Sequence, residues 1–212
     1  MPAVFDFVKV EKEYYTARAE PEEIMVPPMK FIMAQGMCGT GNKKYHVGVE
    51  TVYALATIIR DSKKGGRRIP GYFEYKIPPL ESYFWGDLGR RELKIPRHKW
   101  LFCCMLRQPD FVEEADFAWA REACARTYPE LDTAKVRFWT YTEGYSVQIL
   151  HTGPRSRETA SIKKIKAYMD AHRMREGWHP VRKHHEIYLN DAAKTDPEKL
   201  KTILRLPVIM RY

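Results

Sequence analysis

The chain has 212 residues, enough for one domain of about 200 residues or two small modules sharing one core. Its 44% hydrophobic content excludes wholesale disorder, and no stretch approaches the ~18 apolar residues of a membrane span. The net charge is +9, and residues 155–205 hold 13 Lys and Arg against 7 Asp and Glu. The two signs are interleaved without a long run, so solvated surface charge is a simpler reading than a nucleic-acid or acidic-membrane footprint.

Residues 1–28 read as an N-terminal arm. "MPAVFDFVKVEKEYY" is charged almost from its start, so no signal peptide is expected. The paired prolines Pro27 and Pro28 argue against a helix leading into the core. "MKFIMAQG" (29–36) is a strand, followed by the Gly-rich turn "GMCGTGN". A helix is expected over 43–63, with Val49, Val52, Tyr53, Ala56 and Ile59 as its apolar stripe and Gly65 as its C-terminal cap. "GYFEYKI" (71–77) reads as an aromatic strand, "PPLESYFWGDL" as a turn, a short strand and another turn, and "KWLFCCMLRQ" (99–108) as a central strand.

A second helix follows in "PDFVEEADFAWAREACARTYPE", where Asp110 and Glu113 have capping-box spacing. "VRFWTYTEGYSVQILHTG" reads as a hairpin turning at Glu143 and Gly144. The third helix, over 157–172, places Ile162, Ile165, Met169 and His172 on one side. "HHEIYLND" is a strand, Asp196 and Pro197 open a turn, and "TILRLPVIM" closes the sheet. The two halves, 29–108 and 109–212, repeat the same order of elements. That repetition predicts an α+β fold with pseudo-twofold symmetry and an antiparallel sheet.

Several chemistries find little support. In "GMCGTGNKK" Gly36 and Gly41 have phosphate-loop spacing, but Asn42 stands in place of the lysine and Lys44 in place of the magnesium-binding hydroxyl. Cys38, Cys103, Cys104 and Cys124 form no C-x-x-C pair, so free thiols and a cytoplasmic location are expected. Among His172, His179, His184 and His185, adjacent His184 and His185 point to opposite faces of a strand and cannot easily share one ion, so no metal site is expected. No G-x-S-x-G elbow occurs.

Glu186 and Tyr188 remain. Strand alternation puts them on one face with His184, and His185, Ile187 and Leu189 on the other. The Ile and Leu face is expected to meet the helices, leaving Glu186 on an opposite, concave face. There it would be either a desolvated carboxylate that attracts a cation or activates water, or an ordinary surface glutamate.

"HHEIYLNDAAKTDPEKLKTILRLPV", "GYFEYKIPPLESYFW", "LRQPDFV" and "VQILHTG" together resemble the stand-alone GyrI-like small-molecule-binding proteins. Within them the likeness is to the bacterial subgroup that includes cyclopropanoid cyclopropyl hydrolases, over about residues 20–210. The resemblance implies one GyrI-like domain over 29–212, with two tandem β-α-β-β modules enclosing an aromatic cleft. It implies a flat hydrophobic ligand and no metal or organic cofactor. The residues themselves give no motif for direct nucleic-acid binding and no membrane span, and a protein-interaction module, like family members that act on a topoisomerase, is a further alternative. It places Glu186 and Tyr188 at the positions of a glutamate and tyrosine that help water open a strained cyclopropane. Tyr53, Tyr75, Trp85, Met105 and Gln148 would line the cleft. A non-catalytic module that sequesters or senses its ligand is the alternative.

Overall fold

The computed structural model describes residues 4–39, 42–85, 96–177 and 184–211. Two short helices, α1 (Phe7–Val10) and α2 (Lys12–Tyr15), precede the long strand β1 (Glu22–Met37). Helix α3 (Lys43–Arg60), β2 (Glu81–Trp85) and β3 (Leu101–Gln108) complete the first module. After the linking helix α4 (Glu114–Thr127), the second module runs through β4 (Val136–Thr152), α5 (Glu158–Ala171), the short β5 (Met174–Glu176), β6 (His185–Tyr188) and β7 (Lys201–Met210). None of the described helices is long and apolar enough to cross a membrane.

All strand pairings are antiparallel, in the order β4-β1-β3-β2-β6-β7-β5. A further β4–β7 pairing bends six strands into a closed, barrel-like sheet. Corresponding strands meet across it, β1 with β4 and β2 with β6, so the two β-α-β-β modules are related by a pseudo-twofold axis through those contacts. The predicted α+β architecture is therefore the observed one.

Three local expectations are corrected. "VRFWTYTEGYSVQILHT" is one 17-residue strand, not a hairpin. Gly144, at φ +72°, is a bend within β4, which stays paired with β1 as far as Gln148 and takes up β7 on its other edge from Ser146 onward; glycine reaches that left-handed conformation at little cost. The first long strand begins at Glu22 instead of Met29. Pro27 and Pro28, non-helical as expected, lie within β1, where residues 22–29 pair with β4 alone and β3 joins only at Lys30. A strand edge without a second neighbour tolerates a missing N–H. "GYFEYKI" contributes one isolated bridge, Phe5 to Tyr75, and its aromatic side chains pack on the N-terminal arm instead of in the sheet. Two helix ends also shift: Glu113 caps α4 with Asp116 as its box partner, and α3 stops at Arg60 before Gly65.

Outside the barrel, Ile32, Phe102, Cys104 and Leu106 pack on α3 and α4, while Val147, Ile149, Leu204 and Leu206 pack on α5. The inside is filled. Phe31, Met33, Tyr83, Cys103, Met105 and Tyr141 form an apolar cluster, and a buried charged set adjoins it. His185, 1% exposed, stands between two carboxylates. Its Nε2 is 2.9 Å from Glu81 Oε2 and its Nδ1 3.0 Å from Glu143 Oε1. Arg205 donates to Glu143 at 2.8 Å, to Gln148 Oε1 at 2.9 and 3.1 Å, and to the Tyr14 carbonyl at 2.9 Å. With the Arg107–Glu11 ion pair, these contacts pin α1 and α2 over the barrel. A space of about 10 Å³ remains inside, room for one water at most.

Burial alone would lower the His185 pKa, but Glu143 and Glu81 overcome it and raise it to about 9. Burial alone would raise that of Glu143, but His185 and Arg205 hold it down to about 2. A raised histidine stabilises the fold fully below its unfolded pKa and loses that contribution as pH climbs through the folded value. The thermal midpoint should therefore fall between pH 6.5 and about 9. Glu143→Gln should cost about 3–5 kcal/mol, because it strands buried cations, and should flatten that alkaline fall. A midpoint unmoved by either change would remove this cluster from the stability of the barrel.

Candidate functional site

Register decides which side Glu186 takes. Side chains of directly paired residues share a face, and Glu186 pairs with Ser82 on β2 and Leu204 on β7. Ser82 Oγ lies 2.9 Å from the Tyr45 hydroxyl of α3, and Leu204 packs toward α5. Glu186 thus faces the helical layer, between the two module helices. Ile187 pairs with Glu81 and Ile203 and packs on Phe7, Tyr15 and Tyr75 of the arm side. Ile187 and Leu189 thus meet the short arm helices α1 and α2, while the long helices α3 and α5 cover the opposite face, the one that carries Glu186. A closed barrel capped by the arm buries both faces of β6, so apolarity does not tell them apart. The alternation itself holds, since His184 and His185 are on opposite sides.

Glu186 is 8% exposed. The Tyr188 hydroxyl donates to its Oε2 at 2.7 Å, and its Oε1 lies 3.8 Å from His184 Nε2. Burial lowers the His184 pKa, although the Glu186 charge opposes that shift. The imidazole is therefore neutral at pH 7. Burial, reinforced by the Glu186 charge, raises the Tyr188 pKa well above its ordinary value, so the phenol stays a donor. Tyr45 is likewise raised by burial.

A pocket of about 40 Å³ opens beside the carboxylate. Its walls come from the start of α3 and the turn before it (Cys38, Asn42, Tyr45), from Phe84 and Trp100, and from the start of α5 (Arg155, Glu158). A groove of about 720 Å³ adjoins it and shares Tyr45 and Arg155. Tyr188, Tyr53, Val49, Pro78, Pro79 and Leu189 line this groove, with Lys76, Asp191 and Lys201 also on its walls. Ligand sites of ~300–1,000 Å³ are commonly built this way, from mostly apolar walls with a few polar groups.

Of the residues singled out by sequence, Glu186, Tyr188 and Tyr53 come together here. Four lie elsewhere. Met105 and Gln148 are buried inside the barrel, the latter bound to Arg205. Trp85 packs against the interior cluster at the end of β2, and Tyr75 is core beneath the arm. His179 is outside the described residues. Tyr45 and Arg155 were not anticipated. The only sequence signal for them is their place at the first turn of each module's helix, after a Gly-containing turn, where pseudo-symmetry brings both toward β2 and β6.

No family model and no curated protein matches the chain. Among solved structures, it is similar to a hydrolase from Listeria innocua, with 40% identity and a TM-score of 0.87 over 97% of this chain and 100% of that one. An uncharacterized conserved protein from Listeria innocua is 41% identical, with a TM-score of 0.90 and the same coverage. The C-terminal domain of EcmrR shares the fold at 10% identity and a TM-score of 0.55, over 91% of this chain and 98% of that one. With about two residues in five identical along essentially the whole of both chains, the protein belongs to one family with these Listeria innocua proteins, and its fold is consistent with a GyrI-like domain.

Proposed function

We propose that the protein binds flat, hydrophobic small molecules in the groove between α3 and the β6–β7 connection, and hydrolyses cyclopropanoid electrophiles there. The observation that carries this reading is the Tyr188–Glu186 hydrogen bond at the edge of a pocket that joins a ligand-sized groove. The similarity to a protein named a hydrolase supports hydrolytic chemistry; the sequence resemblance supplies the substrate class.

Each group has a task in such a reaction. Tyr188 occupies Oε2 of Glu186, which fixes the carboxylate plane and leaves Oε1 to take a proton from water. Neutral His184, 3.8 Å from that oxygen, does not neutralise it as a cation would. A base held in one orientation within a largely dehydrated pocket contributes about 10²–10⁴-fold. Tyr45, Phe84 and Trp100 offer flat faces to an aromatic ligand, and Tyr53 extends that surface along the groove. A cyclopropane conjugated to a dienone becomes aromatic on opening, so the remaining barrier lies largely in activating water and receiving charge on the ring oxygen.

Incubation with a cyclopropanoid dienone should yield a product heavier by one water, detected by mass spectrometry. Saturable binding without that product would make the protein a sequestering or sensing module. Glu186→Gln keeps the shape and the Tyr188 contact, so ligand affinity should stay within a few-fold while turnover falls by about 10²-fold or more; undiminished turnover would remove Glu186 from the role of base. Turnover should also decline on the acid side of neutrality. Protonation of His184, which burial holds below its ordinary value of 6.5, would then place a cation beside the base.

A further inference from the structure

Arg155 stands in the turn Arg155–Arg157 that opens α5, after Pro154. Its guanidinium carbon lies 4.2 Å from the centroid of the Tyr188 ring, a cation–π contact that holds the planar head in place. It borders both the small pocket beside Glu186 and the large groove, and so sits where the two meet. The barrel arginines Arg205 and Arg107 direct their N–H groups at Glu143, Gln148 and Glu11. Arg155 differs: among the described residues no acceptor takes a hydrogen bond from it; the Tyr188 ring meets it by the cation–π contact, and the Glu186 and Glu158 carboxylates act on it through their charge. An arginine carries five N–H donors in a fixed fork and does not lose its proton in proteins. Such a head, held on a ring and turned toward a cavity, is suited to an oxygen that a ligand brings.

Resting on the hydrolysis proposed above, we infer that Arg155 is the donor that receives the ligand's oxygen, bonding the carbonyl of a bound dienone and stabilising the phenolate formed when the ring opens. The water oxygen bonds to the cyclopropane CH₂ carbon and the strained C–C bond breaks. The electron pair of that bond passes through the conjugated ring to the carbonyl oxygen, which becomes a phenolate. Glu186 accepts the water proton and afterwards releases it to the phenolate or to solvent. Arg155 keeps its own protons throughout, and no oxidant or reductant is involved. The site is then divided, with Glu186 serving the attacking water and Arg155 the oxygen that gains charge. A fixed donor aimed at developing negative charge is typically worth about 10²–10³-fold in rate.

The ring-opened phenol, prepared by acid hydrolysis of a cyclopropanoid dienone, reads this contact without turnover. Bound to the wild-type protein, its ionisation, followed by phenolate absorbance, should shift to lower pH. Arg155→Met should abolish the shift and reduce kcat by about 10²-fold, with KM for the dienone changed only a few-fold. If Arg155→Met fails to fold, as judged by its thermal midpoint, Arg155→Lys keeps the charge without the planar fork and should give a smaller shift than wild type. A full shift in either variant would overturn the assignment. Wild-type protein that shifts the phenol through Arg155 yet forms no water adduct would refute the hydrolysis and leave Arg155 as the oxygen receptor. Absence of both would refute the two together.

Discussion

His185 is held inside the barrel by Glu81 on one side and Glu143 on the other, and Glu143 is shared with Arg205. Strand β6 has only four residues, too short for ladder hydrogen bonds alone to fix it firmly. The buried ion pairs add a directional constraint, because each charge has left water and its partners must stay in place to offset that loss. The residue next to His185 along the chain is Glu186. Alternation turns it 180° away, so the clamp that orders the barrel interior also sets the position of the carboxylate on the outside. The filled lumen, with space for one water at most, leaves the helical side of the sheet as the place for a ligand.

The pseudo-twofold axis explains why the walls converge there. It passes through the β2–β6 pair, where Ser82 and Glu186 are direct partners, and it brings the first turns of α3 and α5 to the same pocket. The two modules do not contribute equally. Two carboxylates directly opposite each other would repel. One module supplies the small hydroxyl of Ser82, tied to Tyr45, and the other the carboxylate. A symmetric scaffold thus carries an asymmetric site: a carboxylate with its phenol from one strand, and Arg155 from the start of one helix.

Much of this was legible in the sequence. The order of helices and strands follows from period and punctuation, and the pairing of Glu186 with Tyr188 follows from strand alternation alone. The face they occupy was not legible, since Ile187 packs under the arm as completely as another residue would pack under a helix. For the same reason Met105 and Gln148 could not be told from cleft residues: a barrel interior and a ligand wall both want apolar and amide side chains. Glu143 and Gly144 have the composition of a turn, but the β7 partner that makes them a bend in a continuous strand lies some 60 residues away, as in the Ser146–Pro207 pair. Arg155 has no periodic or motif signal of its own; only the closure of the sheet places it near β6.

Among the buried carboxylates, Glu143 and Glu186 show how environment separates structure from chemistry. Glu143 meets two cationic partners, His185 and Arg205, within 3.0 Å, and its pKa is driven down to about 2. It is committed to the fold and has little basicity to offer. Glu186 has one neutral donor, Tyr188, and a neutral imidazole at 3.8 Å. Its guanidinium neighbour Arg155 is spent on the Tyr188 ring instead of on a direct ion pair. A nearly buried carboxylate with so few partners costs stability, and proteins keep such groups mainly where a ligand or a reacting water meets them.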